Sequence, residues 1–414
     1  MAGHYSTFDL AAVALGSGIW LPIFLSCQGI LMATTPLVAH LVGASQLQAT
    51  RMPLQIGLLL ALVLSVIAVY LLQNSDLLLQ AMAIKPELAQ RTHQYLTAIS
   101  WGFPALFIYQ LLRCYIEGFG KTRPAMLIAA LALLCNIPLN YVLIYGELGF
   151  PALGAEGCGW ASNIIMWVML FSMLFYLLRH SLFNQLHLFS QWQKPRIDTF
   201  WPFLRLGLPI GVALLIEVSM FTLIGLLLAD LGETQVGAHQ ITISFTGLIF
   251  MLPLSLSMAM TIRVGHQLGR KNLAAASFTA RCGLQLSLMI AASAACLIWL
   301  FRHDIAGLYT DDPQLLQISA TLLLVAVIFQ FPDALQITTS GILRGYKDTS
   351  VPLVLVFLAY WCLGLPLGYL LAKTDLLVEP MGALGFWYGL LGGLTCGAIL
   401  LLARYSILRR RYVA

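Results

Sequence analysis

Residues 203–229 read FLRLGLPIGVALLIEVSMFTLIGLLLA, an apolar run holding one acidic residue, Glu217, twelve positions after Arg205 and thirteen before Asp230. A bilayer core takes about 20 apolar residues of helix, so this run spans one and places Glu217 at mid-depth. Outward from it, similar windows fall at 10–40, 53–73, 93–117, 124–146, 156–179, 235–262, 274–301, 314–343, 351–372 and 383–408, which makes eleven in all. The whole chain agrees. Of its 414 residues 60% are hydrophobic and 9% charged, with a mean hydropathy of +0.87, whereas soluble domains carry roughly 25% charged residues. Too few charges remain to cover a water-facing surface, which excludes a soluble enzyme, a disordered chain and a nucleic-acid module. The apolar runs are continuous rather than alternating, which excludes a barrel. The fold expected is an all-α polytopic membrane protein with about 11 transmembrane helices.

Several windows exceed the minimum span, so tilted or bent helices are expected. Pro22, Pro36, Pro104, Pro138, Pro209, Pro332 and Pro366 lie inside them; each is a fixed kink or a bend used in transport. The eight cysteines sit singly in apolar runs with no CxxC pair, and read as small core residues. The N-terminus MAGHYSTFDL has neither the basic nor the apolar region of a signal peptide. One alternate set of connections, with the C-terminal end, carries 15 Lys and Arg; the opposite set carries Lys85, Arg91, Arg302 and Lys373. By the positive-inside rule the first set and the C-terminus are cytoplasmic, and residue 1 is outside.

The two halves repeat. Met32, Ala33, Val38, His40 and Gly43 recur 226 positions later as Met258, Ala259, Val264, His266 and Gly269. Gly118 recurs at +227 as Gly345; Pro138, Leu139 and Tyr141, then Gly154, Ala155 and Gly157, recur at +228 as Pro366, Leu367, Tyr369, Gly382, Ala383 and Gly385. A nearly constant offset means tandem duplication, giving two homologous helical lobes. The N-terminal lobe, 1–190, holds five helices and the start of an amphipathic cytoplasmic linker (180–202); the C-terminal lobe, 191–414, holds six. The helix at 203–229 has no partner in the first half, where it would map to about −23 to +3. The expectation is that the first helix of the N-terminal lobe is missing.

Two carboxylates stand at depth: Glu217, and Asp333 in VIFQFPDALQITTSG, eleven residues before Arg344. A charge there costs at least about 2.5–3.5 kcal/mol on insertion scales, so such residues face a bundle interior or a wet cavity and mark function. The alternative is a neutral, hydrogen-bonded buried acid. A pair of carboxylates can hold a proton or a sodium ion, and the oxygen donors Ser219, Thr338, Thr339, Ser340, Gln330 and Gln336 could complete a shell. Phe329, Gln336 and Ser340 share Asp333's helix face at −4, +3 and +7. An aromatic ring beside a carboxylate suits an organic cation. Asn136 and Asn140 sit mid-span and either glue helices together or line a cavity. Arg113 and Glu117, one turn apart, read as a structural pair. No HExxH or GxSxG is present. Gly120-Lys121-Thr122 imitates a Walker A loop but Tyr115 stands where glycine is needed. The basic C-terminus RYSILRRRYVA anchors at anionic lipid.

The segment DLAAVALGSGIWLP, the paired GFGKTRP and GYKDT loops, NIPLNYVLIYG and GxxGCG together resemble the MATE family of multidrug and toxic compound extrusion transporters, in its NorM-like branch, over essentially the whole chain. The resemblance implies twelve helices in two lobes, a monomer in the bacterial inner membrane, no cofactor and no nucleic acid, and exchange of Na⁺ or H⁺ for cationic amphipathic drugs or dyes. Glu217 and Asp333 match the acidic residues of the family's seventh and tenth helices that bind the coupling cation. Phe329, Gln336, Ser340, Asn136 and Asn140 are then candidate substrate contacts. Two departures stand out: the absent first helix with its aspartate, and Phe329 where some relatives carry tyrosine. The expected function is a secondary antiporter working by alternating access. The alternatives are a lipid-linked precursor flippase, against which stands the lack of arginines at depth; a membrane-embedded enzyme, against which stands the lack of a catalytic cluster; and a truncated, inactive transporter.

Overall fold

The computed structural model describes residues 2–81, 84–149, 151–186, 188, 197–376 and 378–413. Every described element is a helix. We number the membrane helices α1 (Thr7–Gly43), α2 (Leu47–Gln73), α3 (Pro86–Ser100), α4 (Phe103–Gly118), α5 (Arg123–Tyr145), α6 (Ala155–Arg179), α7 (Phe200–Leu231), α8 (Glu233–Gly269), α9 (Leu273–Gly307), α10 (Pro313–Gly345), α11 (Ser350–Lys373) and α12 (Ala383–Arg411). Ten of these are long and apolar enough to cross a membrane; α3 and α4, bent by 47° at their junction, together make the eleventh span. All eleven sequence windows therefore fall on helices. The bend has a local cause. Pro104 at the start of α4 donates no backbone hydrogen bond, and Gly102 lies so close to α6 that a Cβ there would stand 2.5 Å from the Met166 sulfur.

Large apolar side chains face outward throughout, among them Val66, Leu134 and Leu248, each about 68–70% exposed. In water such a surface would drive aggregation; in lipid it is the outer face of a multi-span membrane protein.

By contacts the chain divides into Met1–Gly211 and Val212–Ala414, the division falling within α7. Of the expected linker 180–202, positions 187 and 189–196 lie outside the described residues, and Lys194 and Arg196 with them.

The repeat predicted from residue offsets is present atom by atom inside each unit. In the first, Leu153 N and Gly154 N donate to Leu143 O and Ile144 O at 3.2 and 3.3 Å; in the second, Met381 N and Gly382 N donate to Leu371 O and Ala372 O at 3.0 and 3.2 Å. Thr35 Oγ1 donates to Cys114 O at 3.2 Å, and its counterpart Thr261 to Gly341 O at 2.9 Å. The N-terminus of α6 donates from Ala155 N to Asp9 Oδ1, and that of α12 from Ala383 N to Gln235 Oε1, both at 3.0 Å. Asp9 and Gln235 are again 226 apart. Each side chain satisfies a helix N–H that has no partner within its own helix.

Each unit has its own core. The first centres on Phe103, Phe107, Tyr109 and Tyr115 of α4. The second centres on Tyr360, Phe386 and Trp387 of α11 and α12. There α12 presents Gly389 and Gly393 to α11, where a Cβ at 389 would stand 2.3 Å from the Gly368 Cα. Small residues of this kind let membrane helices approach closely, as van der Waals packing demands where there is no hydrophobic drive. α11 is also irregular: between α-helical stretches, Leu358–Gly364 is π-helical.

Candidate functional site

Glu217 lies on α7 and Asp333 on α10, and both line one cavity of about 270 Å³ in the second unit. Asp333 is 8% exposed. Pro332 precedes it within an unbroken α10, so the proline marks no break there. Neither carboxylate makes a hydrogen bond or ion pair with any described residue. Glu217 and Asp333 are the only charged groups among the lining residues.

The rest of the lining is aromatic and hydroxylic. Phe221 follows Glu217 by one turn and Phe329 precedes Asp333 by one turn; α8 adds Phe250 and α12 adds Trp387. Phe329 and Trp387 pack with centroids 5.5 Å apart at 59°, and the buried Trp387 Nε1 has no acceptor. Thr222 and Thr246 also reach the cavity. They donate to Val218 O at 3.0 Å and Thr242 O at 2.8 Å, which leaves each oxygen's lone pairs available to a cation.

The other expected ligands divide. Phe329 is in the lining. Gln336 is buried beside it in sequence but points its Nε2 to Tyr360 Oη at 2.6 Å. Ser340, half-buried further along α10, is outside the lining. The hydroxyls Ser219, Thr338 and Thr339, expected to complete a shell, are outside the cavity lining. Ser219 donates to Ile216 O at 3.0 Å and Thr339 to Leu335 O at 2.6 Å, each within its own helix. Thr338 donates to Ser287 Oγ at 3.1 Å, on α9. The reason is helical phase. Ser219 is two residues past Glu217, and Thr338 and Thr339 are five and six past Asp333, where a 3.6-residue turn faces elsewhere. Gln330 is buried with Nε2 unpaired and is not in the lining.

Asn136 and Asn140 belong to the first unit and bond to one another along α5, Asn140 Nδ2 donating to Asn136 Oδ1 at 2.9 Å and to its carbonyl at 3.0 Å. Arg113 Nε donates to Glu117 Oε1 at 2.8 Å, the structural pair expected. Among the described residues no three His, Cys, Asp or Glu side chains cluster as a metal site.

Proteins similar to this chain over nearly its whole length are known. The MatE family model matches residues 1–142 and 209–370, one stretch in each repeat and more than half of the chain. The chain belongs to the MATE family. Its members are transporters, not enzymes, and they need no cofactor. Among curated relatives, multidrug resistance protein PmpM of Pseudomonas aeruginosa is 44% identical over 414 residues, covering 100% of this chain and 87% of that protein. Multidrug resistance protein NorM of Aliivibrio fischeri is 42% identical over 410 residues, covering 99% and 89%. Among solved structures, an outward-facing multidrug resistance MATE family transporter of the MOP superfamily superposes with a TM-score of 0.89 at 21% identity, covering 99% of this chain and 91% of that one. The eukaryotic MATE transporter AtDTX14 superposes at 0.87 and 19% identity, covering 100% and 92%. At these identities the superpositions establish the fold alone.

Proposed function

We propose that this MATE chain is a multidrug efflux antiporter of the bacterial inner membrane. It exports cationic amphipathic compounds in exchange for Na⁺ or H⁺, by alternating access of its two lobes. It acts as a monomer with its C-terminus in the cytoplasm, on the side of the Lys- and Arg-rich connections. The observation that carries this reading is the single cavity holding Glu217 and Asp333 among Phe221, Phe250, Phe329 and Trp387. Carboxylates supply the charge that an organic cation or a coupling ion must meet. Rings supply flat apolar surface and a cation–π attraction of about 0.5–2 kcal/mol each. Two unit charges 4 Å apart attract by roughly 4 kcal/mol at an effective dielectric of 20, so the charge sets affinity and the rings set selectivity for flat cations. Because ion and drug draw on the same two carboxylates, loading one favours release of the other. The names of the relatives support multidrug efflux; the Coulomb argument supports cationic substrates and their exchange for an ion.

The test is ethidium efflux from proteoliposomes under imposed gradients. Efflux accelerates when an opposing Na⁺ or H⁺ gradient is imposed, and stops when the effective gradient is dissipated. Efflux indifferent to both gradients removes the antiport.

A further inference from the structure

The connection between α4 and α5 brings Lys121 against the end of α6, and there two donors meet. Lys121 Nζ lies 3.2 Å from His180 Nε2. The other nitrogen of that ring, Nδ1, accepts from Leu182 N at 3.3 Å, at the start of the short helix Ser181–Gln185. A neutral imidazole has one accepting nitrogen, and the bond at Nδ1 uses it, so Nε2 carries the proton. An ammonium is a donor only. Lys121 and His180 therefore present N–H groups to each other, and among the described residues no carboxylate pairs with either.

The ring is held in place. It packs against Tyr176 and Phe183, with centroids 5.3 Å away in each case. Phe183 is buried and packs in turn on Tyr115 and Phe119. The segment is tied down beyond it as well, Arg51 Nε donating to Leu186 O at 2.5 Å.

The second unit shows what is missing. At the offset of 227 Lys121 corresponds to Asp348, and there the loop residue is a carboxylate that accepts from Arg404 Nε of α12 at 2.7 Å. At the offset of 228 Arg404 corresponds to Tyr176, one turn before His180. The same loop meets the same helix end in both units, through an anion and a cation in one and through two donors in the other. The second unit carries its anion in its own sequence; the first needs one from outside. Arg179 indicates the source. Its guanidinium lies 5.5 Å from the ring centroid of Phe175, which is 63% exposed on the outer, lipid-facing surface. The chain beside His180 thus runs where a basic side chain reaches lipid headgroups.

We propose that Lys121 Nζ and His180 Nε2 form a site for a phosphate group, filled in the membrane by the headgroup of an anionic lipid. A phosphate oxygen accepts from both donors and takes the place that the Asp348 carboxylate holds in the second unit. It is a stoichiometric site, unlike the diffuse attraction of the basic C-terminal end. It lies in the first unit, whereas the acidic cavity lies in the second, and it does not rest on the antiport reading.

The experiment adds phosphatidylglycerol in maltoside micelles, or inorganic phosphate against chloride at constant ionic strength, to the delipidated full chain. It follows the melting temperature, which rises with any ligand bound by the folded state. Wild type shows a saturable rise with phosphatidylglycerol and a far smaller one with inorganic phosphate, which lacks acyl chains. Lys121→Met raises the half-saturating lipid about ten-fold. Lys271→Met, which removes a lysine from the exposed connection between α8 and α9, leaves it unchanged. Lys121→Glu gives the first unit a carboxylate of its own, so its melting temperature without lipid exceeds that of the wild type and its response to the lipid is lost. If Lys121→Met does not fold, Lys121→Glu carries the test. A rise as large with inorganic phosphate, lost in Lys121→Met, supports the phosphate site and overturns the lipid as its occupant. Unchanged half-saturation in the folded Lys121 variants, or an equal loss in Lys271→Met, overturns the proposal.

Discussion

Asp333→Asn brings ethidium efflux from loaded cells down to the background of cells without the transporter, a loss of about 100-fold or more in transport rate. The substitution keeps shape and removes charge. Asp333 is 8% exposed and lines the cavity with Glu217 as its only charged partner. Removing one attraction of roughly 4 kcal/mol, the Coulomb value at an effective dielectric of 20 and 4 Å, costs between two and three powers of ten. Glu217→Gln has a comparable effect, and the double variant is little worse than either single one, because the two acids act as a unit. Surface expression and gel-filtration profile stay normal, since an amide at membrane depth costs less than a carboxylate. Wild-type efflux in either single variant would mean that the cavity is not the coupling site.

The second large effect falls on stability. Arg113→Met leaves the Glu117 carboxyl group, 8% exposed in its side chain, without the guanidinium 2.8 Å away. Breaking a buried pair from one side costs about 3–5 kcal/mol. Arg113 keeps 35% of its side chain exposed, so water screens part of that and the expected loss is about 2–3 kcal/mol. Replacing both, as Arg113→Met with Glu117→Leu, recovers most of it, because no buried charge is then left unpaired. Thermal melting of the three variants in detergent reads this out. A double variant as unstable as the single one would show that the pair contributes more than mutual neutralisation. The offset of 227 maps Arg113 and Glu117 to Ser340 and Arg344, so the charge order is not kept in the second unit.

How much of this was legible depends on range. The spans were, because lipid imposes a length and a composition that few other segments share. So was the repeat; Asp9 and Gln235 share its offset, but their types differ and only their matching bonds to Ala155 N and Ala383 N reveal the equivalence. Glu217 and Asp333 stood out because charge at depth is rare, and Phe329 because it lies one turn from Asp333. The same one-turn rule applied to Glu217 picks out Phe221. The hydroxyls Ser219, Thr338 and Thr339 are close to the acids in sequence and have the right chemistry, but helical phase turns them away from the cavity. Phe250 and Trp387 come from helices with no acidic residue to mark them, and only packing brings them in. Tyr360 could not be read at all, because hydropathy carries no trace of an extra residue in one turn.

The central claim is that one cavity binds either the organic cation or the coupling ion. Equilibrium binding of ethidium to the purified chain, followed by fluorescence as Na⁺ replaces K⁺ or as pH falls, tests it most directly. Competitive displacement, with the apparent ethidium Kd rising in proportion to the coupling ion and no displacement left in Asp333→Asn, is the predicted result. Ethidium binding that is independent of both ions in the wild type would contradict it.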